Sequence, residues 1–333
     1  MLQATRPRGR GSRHARAVES GARAIPDEAA FGPLSRFVVD PAVTDVFLNP
    51  DGSVWVDRGA GARPVPGVRV PPGEARELAV RLVAAGGRHL DEAAPAVDVR
   101  IGGGIRVHGV LPPVSPTAAV LSIRLPPTTR LDLDALERAG AFARVSRERV
   151  DDLVSRRANL LVTGAAGAGK TTLLGALLGV AEPHERIVLV EDVAELRVDH
   201  PHVVRLEARQ PNLEGAGAVG LDRLVREALR MRPDRLVVGE CRGAELRELL
   251  TALNTGHDGG AGTLHANSLA DVPARLEALG ALAGWSDAAL ARQVVSAIDA
   301  VLHVVRAPDG TRALAELGRL RLGTRGRLVA EPG

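Results

Sequence analysis

The sequence predicts an α/β protein in which a smaller α+β domain precedes a larger domain built on a parallel sheet. Between residues 25 and 125, short strands and turn signals surround one helical segment. From residue 146 onward, strands that are apolar throughout alternate with helices. Strands buried on both faces and separated by helices are typical of a parallel sheet with helices on both sides. The change of pattern near residue 126 therefore indicates two domains.

The N-terminal part carries the signals of two hairpins and a helix. Asp51-Gly52 separates two short apolar stretches and predicts a tight turn between strands. Apolar residues at helical spacing predict a helix over 72–85. A second hairpin is expected over 97–110 and a further strand over 119–125. These elements make an α+β domain.

In the C-terminal part the predicted elements alternate regularly. Strands are expected over 159–163, 186–190 and 235–238, and helices over 132–142, 146–157, from 169, over 221–230 and over 243–253. The pair Pro126-Pro127 indicates a linker, because proline ends helices and restrains the residue before it. The expected segments are a disordered basic tail (1–24), the α+β domain (25–125), a linker with a helix (126–145), the parallel-sheet domain (146–325) and a short tail (326–333).

Composition predicts a globular protein of the cytoplasm. Apolar residues make up 45% of the chain and charged residues 25%, which is ordinary for a globular protein. No apolar stretch reaches the roughly 18–20 residues that span a bilayer. The arginine-rich N-terminus lacks the apolar segment of a secretory signal. The single cysteine, Cys241, excludes an internal disulfide and fits a reducing compartment.

The positive charge is carried almost entirely by arginine. The net charge is +3, and Lys170 is the single lysine among 43 lysines and arginines. No segment interleaves basic and aromatic residues as single-strand binders do, which argues against nucleic acid as a partner. The arginines of the tail fit either a solvated segment or one that touches acidic lipid or nucleic acid. Because lysine survives only at position 170, we expect a compact ammonium to be required there.

A phosphate-binding loop follows the first strand of the larger domain. It matches the spacing G-x-x-x-x-G-K-[ST], with a strand before it and a helix after it. Its residues are Gly164, Ala165, Ala166, Gly167, Ala168, Gly169, Lys170, Thr171 and Thr172. Glycines let backbone amides turn toward phosphate oxygens, and the helix N-terminus adds positive charge. We expect Lys170 to bridge the β- and γ-phosphates of a nucleotide and Thr171 to hold Mg²⁺.

The loop indicates a nucleotide but does not by itself indicate a class of protein. Kinases, GTPases, helicases, transporters and motors all carry such a loop. No Asn-Lys-x-Asp sequence for reading guanine occurs, so ATP is the expected nucleotide. The class must be decided by residues downstream.

Carboxylates follow the next two strands, at the edge where ligands bind in open α/β sheets. Glu191, Asp192 and Glu195 come after the second strand. We expect Glu191 or Glu195 to assist catalysis by orienting the attacking water, and Asp192 to hold Mg²⁺ through water. Glu240 ends the third strand and has the reach to polarise a water opposite the γ-phosphate. The alternative is that these are solvated charges at the start of loops.

A glycine-rich segment over 255–268 carries two histidines, His257 and His265. Such dense glycine predicts a mobile loop, and residues 263–265 a short strand end. His265 is a candidate for a hydrogen bond to the γ-phosphate, so that loss of this phosphate would move the loop. Two alternatives remain for these histidines. They could be zinc ligands, although no further cluster of cysteine and histidine supports that, or they could have a purely structural role.

These motifs, in this order and spacing, resemble those of the secretion-ATPase superfamily behind type II and type IV secretion and type IV pili. The Walker A loop, acidic "Asp box", Walker B strand and "His box" of that superfamily resemble residues 164–171, 191–195, 236–240 and 256–268. The resemblance covers roughly residues 25–310. Within the superfamily the chain looks most like the branch of tight-adherence (Tad/Flp-type) pili, close to the conjugation-type ring ATPases. Many members of the type II branch carry a tetracysteine zinc motif, which a single cysteine excludes here.

The resemblance implies a RecA-like P-loop NTPase domain in a homohexameric ring, cytoplasmic and peripherally associated with the inner face of the cell membrane. ATP and Mg²⁺ are the implied cofactors, and integral-membrane platform proteins are the implied partners. Arginines of the N-terminal domain or of a neighbouring subunit would complete the site. The candidates are Arg100, Arg106 and Arg124 on the late strands of the N-terminal domain, with Arg230 and Arg232 in addition. Hydrolysis would move one domain against the other around residues 126–129 and so drive pilin assembly or export.

Two other functions remain open at this point. A nucleic-acid translocase on a related ATPase core would show hydrolysis stimulated by DNA with steep salt dependence. A nucleotide-gated scaffold would bind ATP without turnover and would lack a catalytic group. Lys170, Glu240 and His265 are all present, which favours the motor.

Overall fold

The computed structural model describes residues 25, 27–126, 131–209 and 216–333, and it contains two sheets. The first is a six-stranded antiparallel sheet in the order β3-β2-β1-β6-β5-β4. Its strands are β1 (Asp45–Leu48), β2 (Ser53–Asp57), β3 (Ala62–Arg69), β4 (Ala96–Ile101), β5 (Ile105–Val110) and β6 (Val120–Arg124). Its α-helices are α1 (Ser35–Val38) and α2 (Pro72–Ala85).

The local sequence explains these elements. In β1 and β2 buried and half-buried residues alternate, which places one face of the sheet against the core. Helix α2 covers that face with Leu78, Leu82 and Val83, all buried, at the spacing of one helical stripe. Gly52 turns the first hairpin with a φ of 80°, and a Cβ there would lie 2.5 Å from the Val70 carbonyl oxygen. Glycine is therefore required at this turn.

The second sheet has eight strands in the order β14-β13-β12-β7-β11-β10-β8-β9. They are β7 (Leu160–Gly164), β8 (Ile187–Glu191), β9 (Val203–Glu207), β10 (Arg235–Val238), β11 (Ala261–His265), β12 (Ala300–Arg306), β13 (Arg312–Leu322) and β14 (Leu328–Pro332). The helices are α3 (Leu133–Arg138), α4 (Arg147–Ser155), α5 (Lys170–Gly179), α6 (Leu221–Leu229), α7 (Glu245–Leu253), α8 (Val272–Leu282) and α9 (Asp287–Ala297). Strands β12, β7, β11, β10, β8 and β9 are parallel, whereas β13 and β14 run antiparallel. Apolar clusters cover both faces of this sheet.

The parallel strands set the position of the candidate site. Their carboxyl ends lie at one edge, so the end of β7 is next to the end of β11, with His265 opposite Gly164 in register. Glu191 ends β8, and Glu240 follows β10 by two residues at the same edge. The sheet therefore brings all four predicted motifs together.

The predicted α/β fold is confirmed, with one addition. The antiparallel strands β13 and β14 extend the parallel sheet, and residues 326–333, expected to be a tail, contain β14. Leu320 and Leu328 are buried in the core cluster on one face of the sheet, which explains why this segment is ordered. The predicted basic tail (1–24) and most of the predicted hinge (127–129) lie outside the described residues. In the described ranges, no helix combines the length and apolar character needed to cross a bilayer.

Two arginines connect the sheets. Arg100 on β4 places Nη1 2.6 Å and 2.5 Å from the two carboxylate oxygens of Glu207 on β9, and its Nη2 donates to the Ala194 carbonyl oxygen at 3.1 Å. Arg306 at the end of β12 donates to the carbonyl oxygen of Gly59, in the loop between β2 and β3, at 2.7 Å.

Candidate nucleotide site

The loop between β7 and α5 adopts a shape that only glycine permits at two positions. Gly164 has a φ of 152°, and a Cβ there would lie 2.3 Å from the Val304 carbonyl oxygen. Gly169, immediately before α5, has a φ of 103° in the left-handed region. Side chains are disfavoured in this conformation, so the loop can close around a small anion at the helix N-terminus. Ala165, Ala166, Gly167 and Thr172 are exposed, Gly169 and Thr171 half-buried, and Ala168 buried.

Lys170 begins α5 and is buried, with its ammonium folded back into the loop. Its Nζ donates to the carbonyl oxygens of Gly164 and Ala165 at 2.9 Å each and lies 3.1 Å from His265 Nδ1. Burial and the charge of Arg242 lower the pKa of Lys170, while the charge of Glu240 opposes this shift. An ammonium has three hydrogens, so these contacts use all of its donors.

His265 joins Lys170 to Glu240. Its Nε2 lies 2.7 Å from Glu240 Oε1. Because the ammonium of Lys170 has only hydrogens to offer, Nδ1 must accept, and Nε2 carries the proton toward the carboxylate. Burial and the charge of Lys170 lower the pKa of His265, with Glu240 opposing, which agrees with a neutral ring.

Glu240 is also held by Arg242, two residues further along the chain. Arg242 Nη2 lies 2.5 Å from Glu240 Oε2, and its Nη1 lies 3.9 Å from Asp192 Oδ2. Burial raises the pKa of Glu240, but the hydrogen bond and charge of Arg242 outweigh it, so the pKa falls below its usual value. The carboxylate is therefore ionised at neutral pH. Arg242 was not among the residues predicted from the sequence.

The three carboxylates at the end of β8 and just beyond it have different surroundings. Glu191 is 3% exposed, and its Oε1 accepts hydrogen bonds from the backbone amides of Glu195 and Leu196 at 2.8 and 2.7 Å. Burial raises its pKa, while these amides and Arg205 act in the opposite direction. Glu191 thus holds the turn in place, whereas Asp192 is half-buried and Glu195 exposed.

A cleft between the two sheets contains the four predicted carboxylates together with Thr171 and Arg106. It is lined by Arg106, Thr171, Glu191, Asp192, Val193, Glu195, Gly239, Glu240 and Arg242. Arg106 reaches it from β5, where its Nε donates to both oxygens of Asp98 at 3.1 and 3.0 Å. The cleft thus places a cation of the first sheet opposite the carboxylates of the second.

The other predicted arginines lie elsewhere in this conformation. Arg124 is opposite Arg106 in register but exposed, and it is not part of the cleft lining. Arg100 is engaged by Glu207, as described above. Arg230 forms an exposed ion pair with Glu227 at 3.0 Å. Arg232 takes a left-handed conformation with a φ of 53°.

The structure gives no support to zinc binding by the histidines. His257 Nδ1 lies 3.2 Å from the Ala252 carbonyl oxygen, near the end of α7. Across the described part of the chain, no group of three or more His, Cys, Asp or Glu side chains is placed to hold a metal ion.

Two residues near the loop were not foreseen. His303 on β12 is buried and lies 2.9 Å through Nδ1 from the hydroxyl of Thr163, the residue before the loop. Arg312, the first residue of β13, donates from Nε to the Gly167 carbonyl oxygen at 3.1 Å. No local motif marks either residue, since both contacts depend on the order of the strands.

The residues present fit a nucleotide with Mg²⁺. Gly164 and Gly169 allow the backbone conformation of a phosphate-binding loop at the N-terminus of α5, and Lys170 supplies a buried cation. Thr171 and Asp192 line the same cleft and offer the oxygen atoms that Mg²⁺ prefers. When bound, the metal would supply positive charge for the phosphates.

The loop, the strand-end carboxylate and the order of the parallel strands together define a P-loop nucleotide-binding protein. The chain belongs to the Type II/IV secretion system protein family, whose model matches residues 27–321.

Curated relatives and a solved structure are similar to this chain. A putative conjugal transfer protein of Mycobacterium tuberculosis is 50% identical over 296 residues, covering 87% of this chain and 84% of the relative. A probable conjugal transfer protein TrbB of Sinorhizobium fredii is 31% identical over 283 residues, covering 82% of each chain. The structure of the pilus retraction motor PilT with bound ADP matches with a TM-score of 0.59 at 18% identity, over 89% of this chain and 80% of that chain. At this identity the match to PilT shows the fold alone.

Proposed function

We propose that this chain is the ATP-hydrolysing motor of a secretion or Tad/Flp-type pilus assembly system. The observation that carries the proposal is the connected set Lys170–His265–Glu240 beside the phosphate loop. It places a cation for phosphate, a neutral histidine and an ionised carboxylate in one contact network. A scaffold that binds ATP without turnover would not need the contacts that hold Glu240 in this network.

Each residue has a role in the proposed reaction. Lys170 exchanges the carbonyl oxygens of Gly164 and Ala165 for the β- and γ-phosphate oxygens. Thr171 and Asp192 would hold Mg²⁺, Asp192 through water. Glu240 orients and deprotonates the attacking water, and its low pKa keeps it ionised for this task. His265 then forms a hydrogen bond with the γ-phosphate, and loss of this phosphate moves the loop that follows β11.

Glu191 and Glu195 divide the remaining work. The backbone amides bound by Glu191 make it the residue that fixes the turn, and the exposed carboxylate of Glu195 is the one free to face a water in the cleft. We therefore assign assistance in catalysis to Glu195 and positioning to Glu191.

The proposed active form is a homohexameric ring. Charge that develops on the transferred phosphoryl group requires cations, and an arginine finger can contribute about 10³–10⁵ in rate. Arg106 supplies one from within the cleft. Arg124, exposed on the neighbouring strand, is free to act in a neighbouring subunit. Movement of the first sheet against the second around residues 126–129 would transmit the work.

The motor would act at the inner face of the cell membrane on an integral-membrane platform that assembles or exports pilin. Membership of the Type II/IV secretion family supports this setting. The resemblance of the motifs to the Tad/Flp branch supports the pilus, and the single cysteine argues against the type II members that carry a tetracysteine zinc motif.

A conjugation-type nucleic-acid translocase is the second candidate, since both relatives described above are named conjugal transfer proteins. Its DNA contacts would be expected to use stacking platforms, yet aromatic residues make up 2% of the chain. DNA-stimulated hydrolysis that falls steeply with salt would favour this candidate.

Phosphate release from ATP and Mg²⁺ by the purified chain tests the proposal. We expect turnover that disappears in Lys170→Ala and does not change when single-stranded or duplex DNA is added. ATP binding without turnover, both in the absence and in the presence of the membrane platform, would instead support the scaffold. Stimulation by DNA at low salt only would support the translocase.

A further inference from the structure

The hairpin formed by β12 and β13 carries two like charges opposite each other at its turn end. Arg306 ends β12, Arg312 begins β13, and the two are direct partners in the antiparallel register. Like charges placed opposite each other in this way destabilise a hairpin. A break of a local rule of this kind is expected where a residue has another task.

Each arginine is engaged by a backbone carbonyl of a different part of the molecule. Arg306 donates from Nη2 to Gly59 of the first sheet at 2.7 Å. Arg312 donates from Nε to Gly167 of the phosphate loop at 3.1 Å. The stem of Arg312 also lies against the loop, since a Cβ on Gly169 would be 3.1 Å from Arg312 Cδ. One short hairpin therefore contacts both the first sheet and the phosphate loop.

Carboxylates do not account for the placement of the two arginines. Asp309, in the turn between them, accepts the backbone amide of Thr311 at 2.9 Å. Within the described ranges neither Arg306 nor Arg312 has a carboxylate oxygen within 4 Å. Their partners are carbonyl oxygens, whose positions follow the backbone. The loop that carries Gly59 is itself ordered, because the amides of Gly59 and Gly61 donate to Asp57 Oδ1 at 2.7 and 3.0 Å.

We propose that the β12–β13 hairpin couples the position of the first sheet to the shape of the phosphate loop, with Arg306 and Arg312 as positioning residues for nucleotide binding. Arg312 holds the outer carbonyl of the loop and thereby keeps its amides turned toward the phosphates. Arg306 fixes the hairpin against the first sheet, so that movement of this sheet reaches the loop. This inference rests on the proposed ATPase function.

Amide hydrogen exchange of residues 164–172 in the nucleotide-free protein tests the coupling without any need for turnover. The variants are Arg306→Ala, Arg312→Ala and the double variant. The control is Arg321→Ala, which removes an exposed arginine from the far end of the same strand β13. We expect faster exchange of the loop in Arg306→Ala, although Arg306 does not touch the loop, and no change in the control.

ADP affinity and steady-state kinetics complete the test. Loss of one such hydrogen bond is expected to weaken ADP binding roughly tenfold in Arg312→Ala. In both single variants KM should rise while kcat changes little. In the double variant the two effects should not add, because Arg306 acts through Arg312.

The outcomes separate this inference from the proposed function. Two results would overturn the coupling even if the protein hydrolyses ATP. One is additive effects of the two substitutions on ADP affinity, and the other is amide exchange of the loop that is the same in Arg306→Ala and wild type. Faster loop exchange in Arg306→Ala in a protein that never hydrolyses ATP would leave the coupling standing and refute the motor.

Discussion

His265 Nε2 lies 2.7 Å from Glu240 Oε1, while the other ring nitrogen of His265 lies 3.1 Å from Lys170 Nζ. The imidazole thus connects the residue proposed to bind phosphate with the residue proposed to activate water. In this conformation the other two N–H groups of Lys170 donate to the carbonyl oxygens of Gly164 and Ala165 in the loop. Nucleotide binding must therefore break contacts at Lys170, and His265 transmits that change to Glu240.

Replacing Lys170 by arginine should abolish tight ATP binding although the charge is kept. The ammonium is buried among three acceptors, and a planar guanidinium does not fit this geometry. We expect ATP affinity to fall by roughly 10- to 100-fold, the range for a hydrogen bond to a charged group. Titration with a fluorescent ATP analogue measures this. The reverse exchange, Arg321→Lys on the surface, is the control, and equal affinity of Lys170→Arg and wild type would refute the requirement for lysine.

Removing Arg242 should move the acid limb of the kcat/KM profile to higher pH. Arg242 is the group that holds the pKa of Glu240 below its usual value against the effect of burial. In Arg242→Gln this pKa rises, so Glu240 becomes protonated, and inactive as a base, at a higher pH than in wild type. Initial rates between pH 4.5 and 8 test the shift. Arg247→Gln, an exposed position on α7, serves as the control, and an unmoved acid limb would show that Arg242 does not tune Glu240.

Asparagine at position 265 should lower kcat by roughly 10- to 100-fold, because the shorter side chain cannot reach both Lys170 and Glu240. It should also reduce the pH dependence of stability. The pKa of His265 is lowered in the folded protein, so the unfolded chain binds more protons below about pH 6.5. Unfolding free energy should therefore fall as pH decreases from 7 to 5, and less so in His265→Asn.

Buried His303 also has a lowered pKa and will leave part of that slope in the variant. Denaturant titrations at several pH values measure both slopes. The same slope in wild type and His265→Asn would mean that His265 is not held neutral by its surroundings.

A buried ion pair at the opposite edge of the sheet should contribute more to the free energy of unfolding than an exposed pair does. Arg235 Nε lies 2.8 Å from Glu185 Oε2, and both side chains are about 95% buried (5% and 3% exposed). Glu185→Ala leaves a buried guanidinium unpaired and should cost about 3–5 kcal/mol of unfolding free energy. Glu331→Ala breaks the exposed pair with Arg321 and should cost under about 1 kcal/mol. Urea unfolding compares them, and similar losses in the two variants would contradict this ranking.

The parts of the site that are encoded by neighbouring residues could be predicted from the sequence. The phosphate loop is encoded by consecutive residues between a strand and a helix, and Glu240 by its place directly after a buried strand. The bounds predicted for α2 (72–85) and β10 (235–238) agree with the structure for the same reason, since each is set by its own apolar pattern.

Contacts that depend on strand order could not be read in advance. His303 meets Thr163, and Arg312 meets Gly167, only because β12 lies beside β7. The role of Glu191 was also hidden, because the sequence shows a carboxylate at a strand end but not the two amides that fold over it. Strand β13 did leave a signal, the alternation of charged and apolar residues over 319–322.

ATP hydrolysis per subunit, measured against protein concentration for wild type and Glu240→Gln, tests the central claim most directly. We predict that turnover per subunit rises with concentration as rings form, and that Glu240→Gln lowers it by about 10²–10⁴-fold while ATP still binds. Turnover preserved in Glu240→Gln would contradict the assignment of the catalytic base. Constant turnover from a species with the mass of one chain would contradict the ring.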